Sequence, residues 1–176
     1  MEIATLGGGC YWCLDAFYRR IQGVSEVASG YSGGTTENPT MGDVYGGKTG
    51  HAEVVQVTFD PKVISYREIL EIFFVMHDPT TLNRQAYDVG PEYRSIILYS
   101  DDMQRKTAED MKQHFATDLW PDPVVTEIVP LEKFWPAEAD QQDFYSKNPG
   151  LGYCQVIIDP KIIKLRQKFA ARFKEV

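Results

Sequence analysis

Three cysteines, one carboxylate and one long polar loop hold the reactive groups of this chain. Gly7-Gly8-Gly9-Cys10-Tyr11-Trp12-Cys13 follows an apolar stretch, Ile3 to Leu6, and opens a helix-like run to about Gln22. Cys10 thus stands at the positive end of a helix dipole, which lowers a thiol pKa, and the glycines before it let backbone or ligand come close. Tyr11 and Trp12 offer an apolar wall beside it. Cys154 lies in a second glycine-containing turn, Gly150-Leu151-Gly152-Tyr153-Cys154, so the set reads as one attacking thiol with thiols to resolve it. Three other readings stand beside that one. Buried cysteine behaves as a small hydrophobe. Cys10 and Cys13 form half of a zinc site that Cys154 and one of His51, His77 or His114 would complete. The same pair has the spacing of a thioredoxin-like redox motif.

Glu53 is the carboxylate of interest. Alternation along residues 51–59 puts it on one face with Val55, Val57 and Phe59. Burial at the end of that face would raise its pKa until it donates a proton near neutrality; at a strand edge it would point into water. The loop from His77 to Glu92 is long for a helix-to-strand connection, and Asp88 on it and Tyr93 just after it are suited to bind an oxygen or an amide.

The elements that must position these groups follow from periodicity. Residues 2–6, 24–32 and 52–59 read as strands, 11–22 as a helix ended by Gly23. Ser65-Tyr66-Arg67-Glu68 is a capping box, with Ile64 and Ile69 placed for a hydrophobic staple, and starts a helix to about Met76. Residues 93–99 predict the next strand. That βαββαβ order is the ferredoxin-like arrangement, two helices on one sheet. Ser100 then caps a helix with Met103, Met111 and Phe115 inward, followed by a strand at 124–130, a short helix near 137–146 and a last helix from Pro160. The expectation is one α+β domain over residues 1–176, a two-layer sandwich with C-terminal elaborations. Eleven of the fourteen glycines fall in residues 1–50, which places the active surface there.

The chain has 176 residues and a formal net charge of −7, which argues against nucleic-acid and anionic-membrane binding. The basic C-terminal stretch, Lys161 to Lys174, also carries Ile162, Leu165 and Phe169 at helical spacing and reads as a docked helix with a solvated basic face. No signal peptide or membrane-spanning run is visible, and three cysteines suggest a reducing compartment, so the expected location is cytoplasmic.

Gly9-Cys10-Tyr11-Trp12, Gly30-Tyr31-Ser32-Gly33-Gly34, Gly50-His51-Ala52-Glu53-Val54, His77-Asp78-Pro79-Thr80-Thr81, Asp88-Val89-Gly90, Tyr93-Arg94-Ser95 and Gly152-Tyr153-Cys154, in that order along nearly the whole chain, closely resemble peptide methionine sulfoxide reductase A. The resemblance implies a monomeric thiol enzyme that reduces the S epimer of methionine sulfoxide, free or in proteins, without metal or organic cofactor. It implies Cys10 as nucleophile, Glu53 as proton donor to the sulfoxide oxygen with help from Tyr93, Asp88 on the substrate main chain, and Tyr11 and Trp12 around the S-methyl group. Cys154 would condense with the Cys10 sulfenic acid, and thioredoxin would reduce the disulfide. Two positions depart from the family. Pro39-Thr40-Met41 stands where the family has Pro-Thr-Tyr, a vacancy that Tyr45 would have to fill. Cys13 replaces a glycine and, at i+3 from Cys10, is a second candidate to resolve. Cys154 matches the family motif and is favoured. A general Cys-x-x-Cys oxidoreductase, for which Glu53 is dispensable, and a zinc-stabilised binding module are the alternatives.

Overall fold

The computed structural model describes residues 1–174; the last two residues of the expected domain lie outside the described residues. Strands β1 (Glu2–Gly7), β2 (Val24–Ser32) and β3 (Ala52–Phe59) form where apolar and β-branched residues recur. Two short strands, β4 (Arg84–Gln85) and β5 (Asp88–Val89), pair as a ribbon inside the long loop. β6 (Ile96–Tyr99), β7 (Glu127–Pro130) and β8 (Phe134–Pro136) complete a six-stranded mixed sheet in the order β7-β6-β1-β3-β2-β8. All neighbours are antiparallel except β6 and β7. The molecule is of the α+β class.

The sheet must curl. β7 and β8 are its opposite edges, yet only residues 131–133 separate Pro130 from Phe134. Such a link spans at most about 14 Å, whereas the edges of a flat six-stranded sheet lie about 24 Å apart. Inside the curl Ala52, Val54, Ile96 and Leu98 pack with Val129, Leu131 and Phe134, so both edges meet over one small core. Gly30 permits this closure: a Cβ there would stand 2.4 Å from the Trp135 carbonyl and 2.5 Å from the Phe134 ring.

The larger core lies on the outer face, where Leu6, Val55, Val57, Phe59 and Ile97 meet helices α1 (Tyr11–Arg19) and α3 (Tyr66–Met76). Ser65 caps α3 by accepting from the Glu68 amide at 3.1 Å, and Ile64 and Ile69 are buried as a staple requires. Helix α2 (Met41–Tyr45) is one turn held by a reciprocal box between Thr40 and Asp43. α4 (Asp102–Asp110) runs through a π-helical stretch, Met111–Ala116, into α5 (Thr117–Leu119). A second π-helical stretch, Cys154–Ile158, joins α6 (Phe144–Lys147) to α7 (Asp159–Lys168).

Several boundaries differ from the sequence expectation. Asp101, not Ser100, caps α4, accepting from the Gln104 amide at 2.8 Å. Met103 is 72% exposed while Gln104, Ala108 and Met111 face inward, because at about 100° per residue Met103 stands about 80° around the helix from Met111, whereas Gln104 and Ala108 share its face. Tyr93 belongs to a 3-10 turn, Pro91–Tyr93, because Pro91 cannot donate to a ladder. β7 starts at Glu127, and the expected helix near 137–146 splits into a 3-10 turn, Ala139–Gln141, and α6.

Candidate active site

Cys10 is the N-cap of α1, with extended backbone (φ −63°, ψ 129°). Its carbonyl accepts from the Cys13 amide at 3.1 Å, which closes the first turn. Gly9 has φ +92°, and a Cβ there would lie 2.7 Å from Gln85. Gln85 is fixed in turn: it accepts from the Asp78 amide and donates to the Asp78 carbonyl, both at 2.9 Å. The glycine turn thus lets the β4–β5 ribbon, with Asp88, lie against the segment that carries Cys10.

Glu53 reaches the same place from β3. It is 2% exposed, and its Oε1 accepts from the Tyr11 amide, one residue past Cys10, at 3.1 Å. Burial pushes its pKa up to about 8, with Asp88 and Glu92 adding to the rise and the Tyr11 amide opposing it. The carboxyl is therefore largely protonated at pH 7.

The Cys10 thiol moves the other way from the sequence expectation. Burial first, then the Glu53 and Cys13 charges, hold it well above the ordinary thiol range, and the Trp12 amide pulls against them. The magnitudes explain the outcome: a helix end contributes about 0.3–1 kcal/mol, less than one pKa unit, whereas desolvation moves a buried group by up to about 3–5 units. The resting site holds two neutral acids, a thiol and a carboxyl.

Tyr93, 8% exposed, and Tyr45, on α2, lie close enough to perturb each other's hydroxyls, and both feel the Glu53 and Cys10 charges. Met41, at the start of α2, donates its amide to Glu138 Oε2 at 3.1 Å. Tyr31 donates to Glu138 Oε1 at 3.1 Å and shares a 2.9 Å bond with the Tyr11 hydroxyl. Tyr11 is thereby sealed in the core at 1% exposure. Trp12 is covered: its indole stacks on Phe144 at 3.6 Å, donates to Gln141 Oε1 at 2.9 Å and meets the Tyr153 ring edge-on at 5.5 Å.

The other two thiols differ sharply in placement. Cys13 is buried and lines one narrow cleft with Cys10, Gly8, Asp88, Tyr153 and Lys161. Cys154, 0% exposed, shares the hydrophobic core with Cys13 but does not line that cleft, although its neighbour Tyr153 does. The histidines are engaged elsewhere: His51 with the Gly34 amide and the Thr36 carbonyl, His77 with the Phe73 carbonyl and Ser95, and His114 near Asp110. A larger groove outside β7, lined by Lys112, Val124 and Ile128 among others, contains none of these groups.

Residues 2–173 match the family model for peptide methionine sulfoxide reductase. The chain belongs to that family. Peptide methionine sulfoxide reductase MsrA of Sulfolobus acidocaldarius is 55% identical over 169 residues, covering 96% of each chain. The solved methionine sulfoxide reductase A of Corynebacterium diphtheriae superposes with a TM-score of 0.82 at 34% identity, over 88% of this chain and 78% of that one. The crystal structure of Mxr1 from Saccharomyces cerevisiae in complex with Trx2 matches at a TM-score of 0.56 and 28% identity, over 81% and 84%.

The reductase brings Cys10, Cys13, Glu53, Asp88, Tyr45 and Tyr93 into one neighbourhood, and Cys154 does not line the cleft that Cys10 and Cys13 share. Sequence reasoning missed the groups that hold this site together: Gln85, Glu138, Gln141, Phe144 and Lys161. Their positions carry no reactive signature, and only their partners, 7 residues away in sequence for Gln85 and more than 90 for the other four, reveal them. No helix among the described residues is long and apolar enough to cross a membrane.

Proposed function

We propose that this reductase acts on the S epimer of methionine sulfoxide, free or in proteins, with Cys10 as nucleophile and Glu53 as acid. The observation that carries the reading is the buried, protonated Glu53 bonded beside the start of α1. A sulfoxide sulfur becomes electrophilic when its oxygen takes a proton. Glu53 gives that proton, Cys10 sulfur bonds to the sulfoxide sulfur, and the thiol proton restores Glu53. Oxygen ends on Cys10 as a sulfenic acid, and methionine leaves. Tyr93 and Tyr45 bind the oxygen, Tyr45 in place of the hydroxyl that Met41 lacks. Asp88 holds the substrate main chain. Tyr11 fixes Glu53 through its amide, and Trp12 receives the methyl group once the segment covering it moves.

For the next step the shared cleft favours Cys13 over Cys154 as first partner. Cys13 displaces the sulfenic hydroxyl to form the Cys10–Cys13 disulfide, and Cys154 accepts it by exchange. A thioredoxin then reduces the enzyme; the solved complex of the relative Mxr1 with Trx2 supports that partner. The reading uses no cofactor and a monomeric, single-domain, cytoplasmic protein. The antiparallel order β6-β1-β3-β2, with α1 and α3 on one face, supports a ferredoxin-like core within a two-layer sandwich.

The test is methionine formation from resolved S and R sulfoxides with dithiothreitol. The S epimer alone should turn over, and Cys10→Ser should abolish turnover. Substantial residual turnover in Cys10→Ser, or equal use of both epimers, would overturn the assignment.

A further inference from the structure

Once Cys10 is a sulfenic acid, the slow requirement is a thiolate on Cys13, and the structure gives that thiol a proton exit. Cys13 Sγ lies 3.8 Å from the Tyr153 hydroxyl. Tyr153 in turn donates to Asp88 Oδ2 at 2.8 Å. Since the hydroxyl proton is directed at Asp88, the phenol oxygen is free to accept from the Cys13 S–H. Lys161, in the first turn of α7, lines the same cleft. We infer that Cys13, Tyr153 and Asp88 form a proton relay for the resolving step, with Lys161 as the cation that stabilises the thiolate. The inference rests on the reading that Cys13 resolves.

The chemistry balances within the cleft. The Cys13 proton passes to the Tyr153 oxygen as the Tyr153 proton passes to Asp88. Cys13 sulfur attacks Cys10 sulfur, the S–O bond breaks and the S–S bond forms. Asp88, which lines the cleft beside Cys10, gives its proton to the departing hydroxide, and water leaves. Asp88 is available because the methionine product has gone by then, so one carboxylate serves substrate first and relay second.

The charged groups around Cys13 pull in both directions. Burial raises its thiol pKa, Lys161 and the Tyr153 bond lower it, and Asp88 and Glu53 raise it again; Cys10 faces it from the same helix. Left alone, the thiol would stay protonated at neutral pH. Tyr153, half-buried beside Cys13 and Asp88, is held well above the ordinary phenol range by desolvation and by the Cys10, Cys13 and Asp88 charges, so it hands protons on without itself ionising.

The experiment is a single turnover on full-length enzyme without external reductant, with sulfenic acid followed by dimedone trapping and disulfides by mass spectrometry from pH 6 to 9. The amplitude of the methionine burst reports the fraction of reactive enzyme. Tyr153→Phe should prolong the sulfenic acid about tenfold or more at pH 7, a deficit that closes toward pH 9. Lys161→Met should shift the same rate profile to higher pH, and Lys161→Arg should restore it. A Tyr153→Phe enzyme that resolves at the wild-type rate at every pH, or is slowed equally at every pH, overturns the relay. Cys13→Ser that forms a disulfide at the wild-type rate instead overturns the reading beneath it.

Discussion

A protonated carboxyl and a neutral thiol, 43 residues apart in sequence and brought together at the start of α1, would make an economical reagent for a sulfoxide, because together they carry the proton and the electron pair that the proposed reaction consumes. Burial pushes the Glu53 pKa up to about 8 and holds the Cys10 thiol well above the ordinary thiol range, so Cys10 ionises against an already charged Glu53. Glu53→Gln should therefore lower the Cys10 pKa, measured as the pH dependence of alkylation by iodoacetamide; an unchanged profile would separate the two groups. The tyrosine pair makes a second prediction. Loss of one hydroxyl that binds developing charge costs roughly tenfold or more, so Tyr45→Phe and Tyr93→Phe should each lower kcat/KM by about that factor. Because Met41 stands on the same short helix, Met41→Tyr should recover activity in Tyr45→Phe if a hydroxyl is what the site lacks. No loss in Tyr45→Phe would leave Tyr93 as sole oxygen ligand.

At the scale of elements, the site is assembled by three segments that converge: the start of α1, the start of β3 and the β4–β5 ribbon. The first two are legible in the sequence. Glu53 alternates with Val55, Val57 and Phe59, and the outer-face core contains those three side chains. The glycine run before Cys10 marks a close approach, which Gln85 makes against Gly9. The ribbon and β8 are not legible, because strands of two and three residues carry no period. Nor does any spacing show that Trp12 lies under Phe144. β8 is nonetheless essential, since it closes the curl through Gly30. Gly30→Ala should destabilise the fold by at least about 1–3 kcal/mol, the ordinary cost of overpacking. Urea unfolding would register this, and a variant as stable as wild type would show that the Phe134 contact yields freely.

For the whole molecule, the reactive carboxyl is a cost to folding. A carboxyl raised from 4.5 to about 8 in the fold leaves stability intact below pH 4.5 and erodes it as pH rises toward 8, because the unfolded chain releases that proton more readily. At about 1.4 kcal/mol per pKa unit the loss is on the order of 4 kcal/mol by pH 8. Glu53→Gln should thus melt higher than wild type, with a margin wider at pH 8 than at pH 5; an equal margin would mean that Glu53 ionises freely in the fold. The proposed function gives the same residue the acid's role, and one measurement tests it: the rate of methionine formation in a single turnover, from pH 6 to 10, in wild type and Glu53→Gln. The wild-type rate should fall as pH rises past about 8, whereas Glu53→Gln should be slower by about 10²-fold or more at pH 7 and lack that fall. A Glu53→Gln enzyme with the wild-type rate and pH profile would contradict the account.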